Sequence, residues 1–332
     1  MTRVLDYLVE KLQPKMLNEE ATLSRAEFVQ DWLSPHRPVV LTEQLSDWES
    51  LSWTPEYLAD FFGDRSVEVE HYPGGARHEA FCYEKMRLAD YIALVRDDER
   101  NRRSYYLAEK PVTEVLGDVS QQCPVPEIVP QEGDAKTVMF TGWDTFSTAH
   151  YHRYRTQALL AQLCGPKRVL LFPPSESRFL YLSPWYSVRS NHSRVPFDRE
   201  HADTLLEDYP DLARATCFLA TLEPGQCLFI PDHWVHLVEG QGESLSLTIF
   251  WNDAFRFANQ LGFLRDGVSA GFKKSLSLGA QVALKLGVER PLLGAASKLG
   301  IIEPSDRAAI MQYLGRFGAT RPVNRNSSST PA

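Results

Sequence analysis

The sequence predicts a mainly β fold, a double-sheet jelly roll with helices added at both ends of the chain. Residues 136–253 contain a series of short apolar segments separated by turns rich in proline and glycine. Such segments pair most economically as antiparallel strands, which a jelly roll arranges in two packed sheets. Hydrophobic residues make up 43% of the chain, enough for a substantial core.

The first 135 residues are predicted to form helices that alternate with single strands. Ser24 and Glu27 have the capping-box spacing of a helix start, and Thr54 before Pro55 has the pattern of a second one. A third helix and three strands are predicted from hydrophobic periodicity: helix 88–95 and strands 38–41, 66–70 and 104–108. Residues 110–135 are rich in proline, glycine and acidic residues and are predicted to be a loop.

Beyond residue 135 the chain is predicted to become a succession of strands. These strands are 138–142, 168–172, 216–222, 227–231 and 244–251. Residues 175–215 predict a long polar insertion with one acidic helix at about 198–206. The chain thus divides into an N-terminal α/β extension, a core, a helical region and a disordered tail: 1–135, 136–253, 254–320 and 321–332.

Composition restricts the function classes. The net charge is −8, and no basic stripe of a nucleic-acid binder is present in the sequence, so we expect no nucleic acid partner. Five cysteines without CxxC spacing indicate free thiols in a reducing cytosol. The N-terminus has no apolar signal-peptide core, and no apolar run approaches the roughly 20 residues of a membrane span. We therefore expect a cytoplasmic protein without a membrane partner.

The pair His150 and His152, with His236 far downstream, is the strongest functional signal. Alternate side chains of an extended strand point to the same face, so the pair should face one pocket. A third imidazole from a distant strand can complete a three-point metal site that leaves other coordination positions open. The sequence therefore predicts a metal site made of His150, His152 and His236.

Three segments around these histidines resemble the JmjC-type cupin oxygenases. They are 147–152, 165–174 (GPKRVLLFPP) and 224–236 (PGQCLFIPDHWVH). The resemblance covers about residues 20–255, and the group it resembles most is the hydroxylases related to the asparaginyl hydroxylase that inhibits hypoxia-inducible factor. It implies a double-stranded β-helix (cupin jelly roll), Fe(II) as the metal and 2-oxoglutarate as co-substrate. In such proteins C-terminal helices commonly form a homodimer, with which the Ala/Leu/Gly-rich residues 262–316 are compatible.

The resemblance also implies roles for the residues of a co-substrate pocket. Lys167 matches the lysine that pairs with the distal carboxylate of 2-oxoglutarate, and Thr156 matches a hydroxyl for the same carboxylate. Tyr106 resembles another residue of that pocket, and Ser147 stands where the family often has threonine. In the long insertion, Asn191, His192 and Ser193 are candidates for the mouth of the substrate site.

The metal site departs from the family at one ligand. The family pattern is His-x-Asp/Glu followed by a distant His, and His152 stands where the carboxylate belongs. Three neutral imidazoles offset none of the metal's charge. Three interpretations stay open: three histidines around Fe(II), another ion such as Zn, Ni or Cu, or a shifted register. In the shifted register His152 is the first ligand, Tyr154 takes the carboxylate position and the protein is inactive.

Other side chains near the motifs were weighed as ligands or contacts. A carboxylate can also reach in from Asp144 or Asp232, whereas His233 is expected to point elsewhere. Arg153 and Arg155 are solvated charges or contacts for an acidic substrate.

The predicted function is a non-haem Fe(II) oxygenase, a 2-oxoglutarate-dependent hydroxylase or related oxidase. The alternatives are a 2-oxoglutarate-independent three-histidine oxygenase and an inactive binding module. The expected substrate is a small molecule or a peptide or protein.

Overall fold

The structure is a computed structural model, and it describes residues 3–73, 82–130, 135–152, 156–183, 189–197 and 202–252. Three sequence predictions lie outside these residues: the helical region 254–320 with its dimer contact, the tail 321–332 and the side chains of residues 153–155.

In the part of the chain that the structure describes, helices are short and concentrated before residue 116. The α-helices among the described residues are α1 Val4–Leu12, α2 Arg25–Glu27, α3 Pro55–Phe62, α4 Leu88–Asp97, α5 Glu99–Ser104, α6 Val112–Val115 and α7 Leu205–Asp208. A π-helical turn, Phe28–Leu33, continues α2, and 3-10 turns occur at Glu49–Ser52, Pro174–Phe179, Ala202–Thr204 and Pro210–Arg214.

Strands make up most of the remaining described residues. They are β1 Lys15–Met16, β2 Glu19–Glu20, β3 Val39–Leu41, β4 Ser66–His71, β5 Cys82–Arg87, β6 Tyr105–Pro111, β7 Lys136–Trp143, β8 Phe146–His150, β9 Thr156–Cys164, β10 Lys167–Phe172, β11 Phe218–Leu222, β12 Cys227–Ile230, β13 Val235–Gly240 and β14 Glu243–Asn252.

The strands form two sheets, which confirms the mainly β jelly-roll prediction. The smaller sheet has the order β1-β11-β10-β13-β8, and the larger has the order β2-β3-β12-β9-β14-β7-β6-β4-β5. Pairing is antiparallel except where β1 meets β11 and β2 meets β3. The N-terminal region therefore contributes strands to both sheets as well as helices.

The inner faces of the two sheets pack on each other. Leu160 of β9 and Leu228 of β12 meet Val169 and Leu171 of β10 in one buried cluster. The outer face of each sheet is covered by other parts of the chain, the larger by α3 and α4 and the smaller by α1. Because β9 is buried on both faces, its sequence shows no alternation of apolar and polar residues. The sequence pattern therefore does not predict this strand.

Several local predictions can be compared with the structure directly. The capping box at Ser24 and Glu27 is present, and the Thr54 side chain accepts a hydrogen bond from the Tyr57 amide at the start of α3. The segment 110–135, predicted to be a loop, contains the single helical turn α6. Of the helix predicted at 198–206, the described residues form a 3-10 turn, Ala202–Thr204, followed by α7.

Gly165 shapes the turn that delivers Lys167 to the barrel. Its φ is +69°, and a Cβ atom there would lie 2.0 Å from the Glu243 carbonyl oxygen. Gly165→Ala is therefore expected to lower the free energy of unfolding by more than about 2 kcal/mol, because strain and a backbone clash add. Urea unfolding measures this, with Gly225→Ala as control, since Gly225 shares a positive φ but has open space around it. Equal losses in both variants would show that the close approach to Glu243 is unimportant.

Candidate metal centre

Three histidines converge at one end of the smaller sheet. His150 ends β8 and pairs directly with His236 of β13, while His152 follows two residues after β8. The ring centroid of His236 lies 4.5 Å from that of His150 and 4.6 Å from that of His152. One nitrogen of each ring lies within 4.8 Å of one nitrogen of both others. The three imidazoles can therefore bind a single ion.

A β-bulge determines what faces the barrel interior beside this group. His236 pairs with His150, but Val238, two residues on, pairs with Ser147, three residues back. Residues two apart on β13 share a face, so the bulge turns both Ser147 and His150 inward. Without the bulge these two side chains would point to opposite faces.

The hydrogen bonds of the rings fit metal binding. His150 Nδ1 donates to the Thr148 carbonyl at 2.7 Å, and His236 Nδ1 donates to the Trp234 carbonyl at 2.9 Å. Because a carbonyl only accepts, each ring keeps its proton on Nδ1 and presents the Nε2 lone pair. The Nδ1 atom of His152 is buried without a hydrogen-bond partner. These neutral, oriented imidazoles suit Fe(II), Zn, Cu or Ni.

Burial keeps two of the three imidazoles, those of His152 and His236, uncharged. Loss of solvation lowers the pKa of His236 to about 3, assisted by the neighbouring His150, and burial also lowers the pKa of His152 well below its ordinary value. Both rings are therefore deprotonated at neutral pH, which is the state that binds a metal.

The metal-free protein is expected to lose stability below pH 6.5 because of these rings. The unfolded chain takes up protons at a pKa near about 6.5, whereas the folded His236 stays neutral down to about 3, so stability falls as pH falls. Between pH 7 and pH 5, His236→Asn should lose about 2 kcal/mol less unfolding free energy than the wild type. Urea titrations of chelator-treated protein at both pH values test this. The same loss in both proteins would contradict it.

The described residues bring no carboxylate into the three-histidine group. Asp144 bonds to Arg3 and to the Gly242 amide. Asp232 lies among His36, His233 and Gln157, with both histidine Nδ1 atoms 3.0 Å from its carboxylate. The two candidate carboxylates thus have other partners.

Lys167 is a buried cation at the other end of the barrel interior. Its side chain is 2% exposed, and its ammonium contacts the Ser246 hydroxyl, which donates to Gln162 Oε1 at 2.7 Å. Among the described residues no carboxylate pairs with it, and burial lowers the pKa of Lys167 to about 7. A buried amine without an anionic partner is costly unless a ligand supplies the charge.

Strand register places the predicted pocket residues at different heights along the barrel, called levels here. Ser246, the contact of Lys167, pairs with Gln162 on β9, whereas Thr156 pairs with Asn252, six residues further along. That separation is about 20 Å along the strand, so one carboxylate cannot contact both Lys167 and Thr156 in this arrangement. Tyr106 is buried beside Gly142, which pairs with Ser244, so it lies near the level of Lys167.

The long insertion reaches the metal centre at His192. This residue forms a bridge with His150, and their rings stack at 5.3 Å. Asn191 Nδ2 donates to the Tyr151 carbonyl at 2.8 Å and so holds the insertion against the segment between the two ligands. The sequence predicts Asn191 and His192 in the insertion, but no local pattern indicates which strand they contact.

Behind the metal ligands lies a group of side chains that the sequence does not predict. The His233 ring stacks on Tyr151 at 4.9 Å, and His36 approaches Asp232 from the N-terminal region. His36 has a positive φ of 56° and its carbonyl accepts from the Trp234 indole. Only long-range packing shows this contact, since His36 lies almost 200 residues before Asp232 in the chain.

The chain is similar in sequence to a protein family and to several known proteins. The profile of the Cupin-like domain family matches residues 24–257. Lysine-specific demethylase 8 of Xenopus tropicalis is 27% identical over 236 residues, which cover 69% of this chain and 51% of that protein. The 2-oxoglutarate and iron-dependent oxygenase JMJD4 of Mus musculus is 24% identical over 278 residues, covering 74% and 62%.

A third relative has a name of a different kind. The tRNA wybutosine-synthesizing protein 5 of Gallus gallus is 26% identical over 249 residues, covering 69% of this chain and 74% of that protein. The chain spans about half the length of the demethylase relatives it matches. Within the described part of the chain, no helix has the length and apolar character needed to cross a membrane.

Proposed function

Because the chain belongs to the Cupin-like domain family, we propose that it is a non-haem Fe(II) oxygenase that uses 2-oxoglutarate as co-substrate. The family match covers the three histidines, Lys167 and the strands that carry them. The narrower likeness to the asparaginyl hydroxylase group stays a prediction from the motifs. Activity, substrate and partners are proposed for this chain and not transferred whole from longer relatives.

The observation that carries the proposal is the pairing of a three-imidazole group with a buried, anion-free lysine inside one barrel. Lys167 and Leu171 share a face of β10, and Leu171 pairs with His236. Four residues of strand separate the two levels by about 13 Å. The four-carbon arm of lysine and a five-carbon dicarboxylate can together span this distance. A 2-oxo acid of that length would reach the metal at one end and the ammonium at the other.

In this proposal each residue has a specific task. His150, His152 and His236 hold the iron, and Lys167 binds the distal carboxylate by a charge-assisted hydrogen bond. Ser147 lines the space between, Tyr106 lies near the level of Lys167, and Thr156 lies nearer the histidine end. The iron, when bound, supplies oxidation of a substrate C–H bond by dioxygen, coupled to conversion of 2-oxoglutarate to succinate and carbon dioxide. The protein's own contribution is orientation and exclusion of water.

The proposed substrate is a small molecule or a peptide or protein. Relatives are named for demethylation of lysine and for synthesis of a tRNA base, so the family name alone does not decide. The net charge of −8 disfavours a polyanion. His192 and Asn191 support a substrate mouth formed by the insertion, because they lie against His150 and Tyr151. A homodimer through residues 254–320 and a cytoplasmic location are proposed from sequence pattern alone.

The test measures co-substrate binding before turnover. Protein is loaded with Fe(II) without oxygen, its metal is quantified, and 2-oxoglutarate is titrated by calorimetry against 2-oxobutyrate, which lacks the distal carboxylate. Preference for 2-oxoglutarate, followed by succinate release on admission of oxygen, is the expected result. Oxygen uptake indifferent to 2-oxoglutarate would favour the three-histidine oxygenase that needs no oxo acid. Binding of neither oxo acid by the iron-loaded protein would contradict the proposal.

A further inference from the structure

A second group of metal-binding side chains lies at the end of the β4–β5 hairpin. His71 ends β4 and pairs directly with Cys82, the first residue of β5, and Glu84 follows on the same face of β5. One donor atom from each of the three lies within 4.8 Å of the others. His71 Nδ1 lies 2.5 Å from Glu84 Oε1 and 3.9 Å from Cys82 Sγ.

The neighbouring strand fixes the orientation of this group. Tyr105 on β6 pairs with His71, and the two rings stack at 4.3 Å with planes 4° apart. The Tyr105 hydroxyl donates to Glu84 Oε2 at 3.2 Å, which leaves Oε1 directed at the imidazole. The ring of His71 and the carboxylate of Glu84 are therefore both held from one side, and Nδ1, Oε1 and Sγ face one another.

The donor set indicates which ion fits. A thiolate, an imidazole and a carboxylate together are typical ligands of zinc, and three protein ligands leave the fourth tetrahedral position open. Tetrahedral zinc would hold sulfur and nitrogen about 3.6 Å apart and nitrogen and oxygen about 3.4 Å apart. The sulfur must therefore approach by about 0.3 Å and the carboxylate retreat by about 0.9 Å. The Glu84 side chain, 39% exposed, has room for that movement.

We propose that His71, Cys82 and Glu84 form a second divalent-metal site, of the class that takes zinc. On binding, the thiol loses its proton to solvent, and the imidazole carries its one proton on Nε2, so Nδ1 and the Glu84 carboxylate can both coordinate. The ion would link the last residue of β4 to the first residues of β5. This site is independent of the proposed oxygenase activity, because it shares no residue with the three-histidine group.

The two sites differ in a property that a spectrum can distinguish. Cys82 is the exposed one among the five cysteines, all of which lie in the described residues, whereas the three-histidine group has no sulfur. Cobalt(II), a standard substitute for zinc, gives an intense thiolate-to-metal charge-transfer band only when sulfur is a ligand. That band therefore reports the hairpin site alone.

The experiment titrates cobalt(II) into chelator-treated full-length protein and then counts bound zinc. The wild type should show the charge-transfer band and bind about two zinc ions per chain. Cys82→Ser should lose the band and bind about one, while Cys164→Ser, the control thiol, keeps both properties. His150→Ala with His236→Ala should keep the band and also bind about one.

Glu84→Gln provides a second test that leaves the thiol intact. The amide is a poorer ligand, so the hairpin affinity for cobalt should fall by about tenfold or more, with the band still present at saturation. A wild type without the band, or a Cys82→Ser protein that keeps it, would overturn the proposal. Circular dichroism of each variant confirms that the fold persists. Loss of the oxygenase activity alone would bear on the first site only.

Discussion

Replacing Lys167 by methionine is expected to stabilise the protein and to abolish its preference for 2-oxoglutarate. Methionine has similar length and no charge, and it removes a buried amine that no carboxylate of the described residues pairs with. The Ser246 hydroxyl keeps its bond to Gln162, so no polar group is left without a partner. We expect the free energy of unfolding at pH 7 to rise by about 1–3 kcal/mol.

The pH dependence of stability gives an independent signature of the same lysine. Burial lowers the pKa of Lys167 to about 7, whereas the unfolded chain holds that proton to a pKa near about 10.4. Between these values the unfolded state binds more protons, so this lysine makes stability rise with pH. Lys167→Met should remove that rise and show a flatter profile from pH 7 to 10.

Co-substrate binding should change in the opposite direction to stability. Loss of the ammonium is expected to weaken the binding of 2-oxoglutarate by about 100-fold. The affinity for 2-oxobutyrate should stay within about threefold of the wild type, because only 2-oxoglutarate has a distal carboxylate. Thr156→Val is the matched control, since its level in the barrel is too far from Lys167 to share that carboxylate. Calorimetry on metal-loaded, oxygen-free protein measures both. If Thr156→Val lost the preference and Lys167→Met kept it, the assignment of the pocket would be reversed.

The sequence predicts which side chains belong to the site better than it predicts their positions along the barrel strands. His150 and His152 could be assigned to one face because alternation along an extended chain is local. The direct pairing of His150 with His236 and the bulge that turns Ser147 inward depend on strand register, which no local pattern encodes. For the same reason the motifs assign Thr156 and Lys167 to one carboxylate, although Asn252, which pairs with Thr156, lies six residues along β14 from Ser246, which contacts Lys167.

Burial on both sides hid other features from the sequence. The strand β9 is buried on both faces, since one face meets the barrel interior and the other meets the helices, and its apolar residues are mixed with the buried Gln157 and Gln162. No alternation of apolar and polar residues therefore marks it as a strand. Asp232 appeared available as a ligand, but His36 folds back from the N-terminal region to bind it. Its candidacy could be decided only by a contact between distant parts of the chain.

Removing the His150 imidazole is expected to weaken metal binding by at least about 100-fold, and this separates the two possible ligand registers. In the shifted register His152 is the first ligand and His150 is a bystander. In the structure His150 pairs with His236, and its Nδ1 is fixed by the Thr148 carbonyl so that Nε2 faces the other rings. This arrangement makes His150→Ala costly and Tyr154→Phe neutral for metal affinity.

The measurement is an Fe(II) or zinc titration of four proteins under identical conditions: wild type, His150→Ala, Tyr154→Phe and His192→Ala. His192 is the matched control, because its ring stacks on His150 but supplies no atom to the three-histidine group. His192→Ala should leave the metal affinity within about threefold of the wild type. Comparison with His150→Ala then separates the loss of a metal ligand from the loss of ring packing. All four proteins also carry Cys82→Ser, which removes the thiolate ligand of the hairpin site. Full affinity in His150→Ala with weakened binding in Tyr154→Phe would establish the shifted register, because a ligand whose removal costs nothing cannot coordinate the metal.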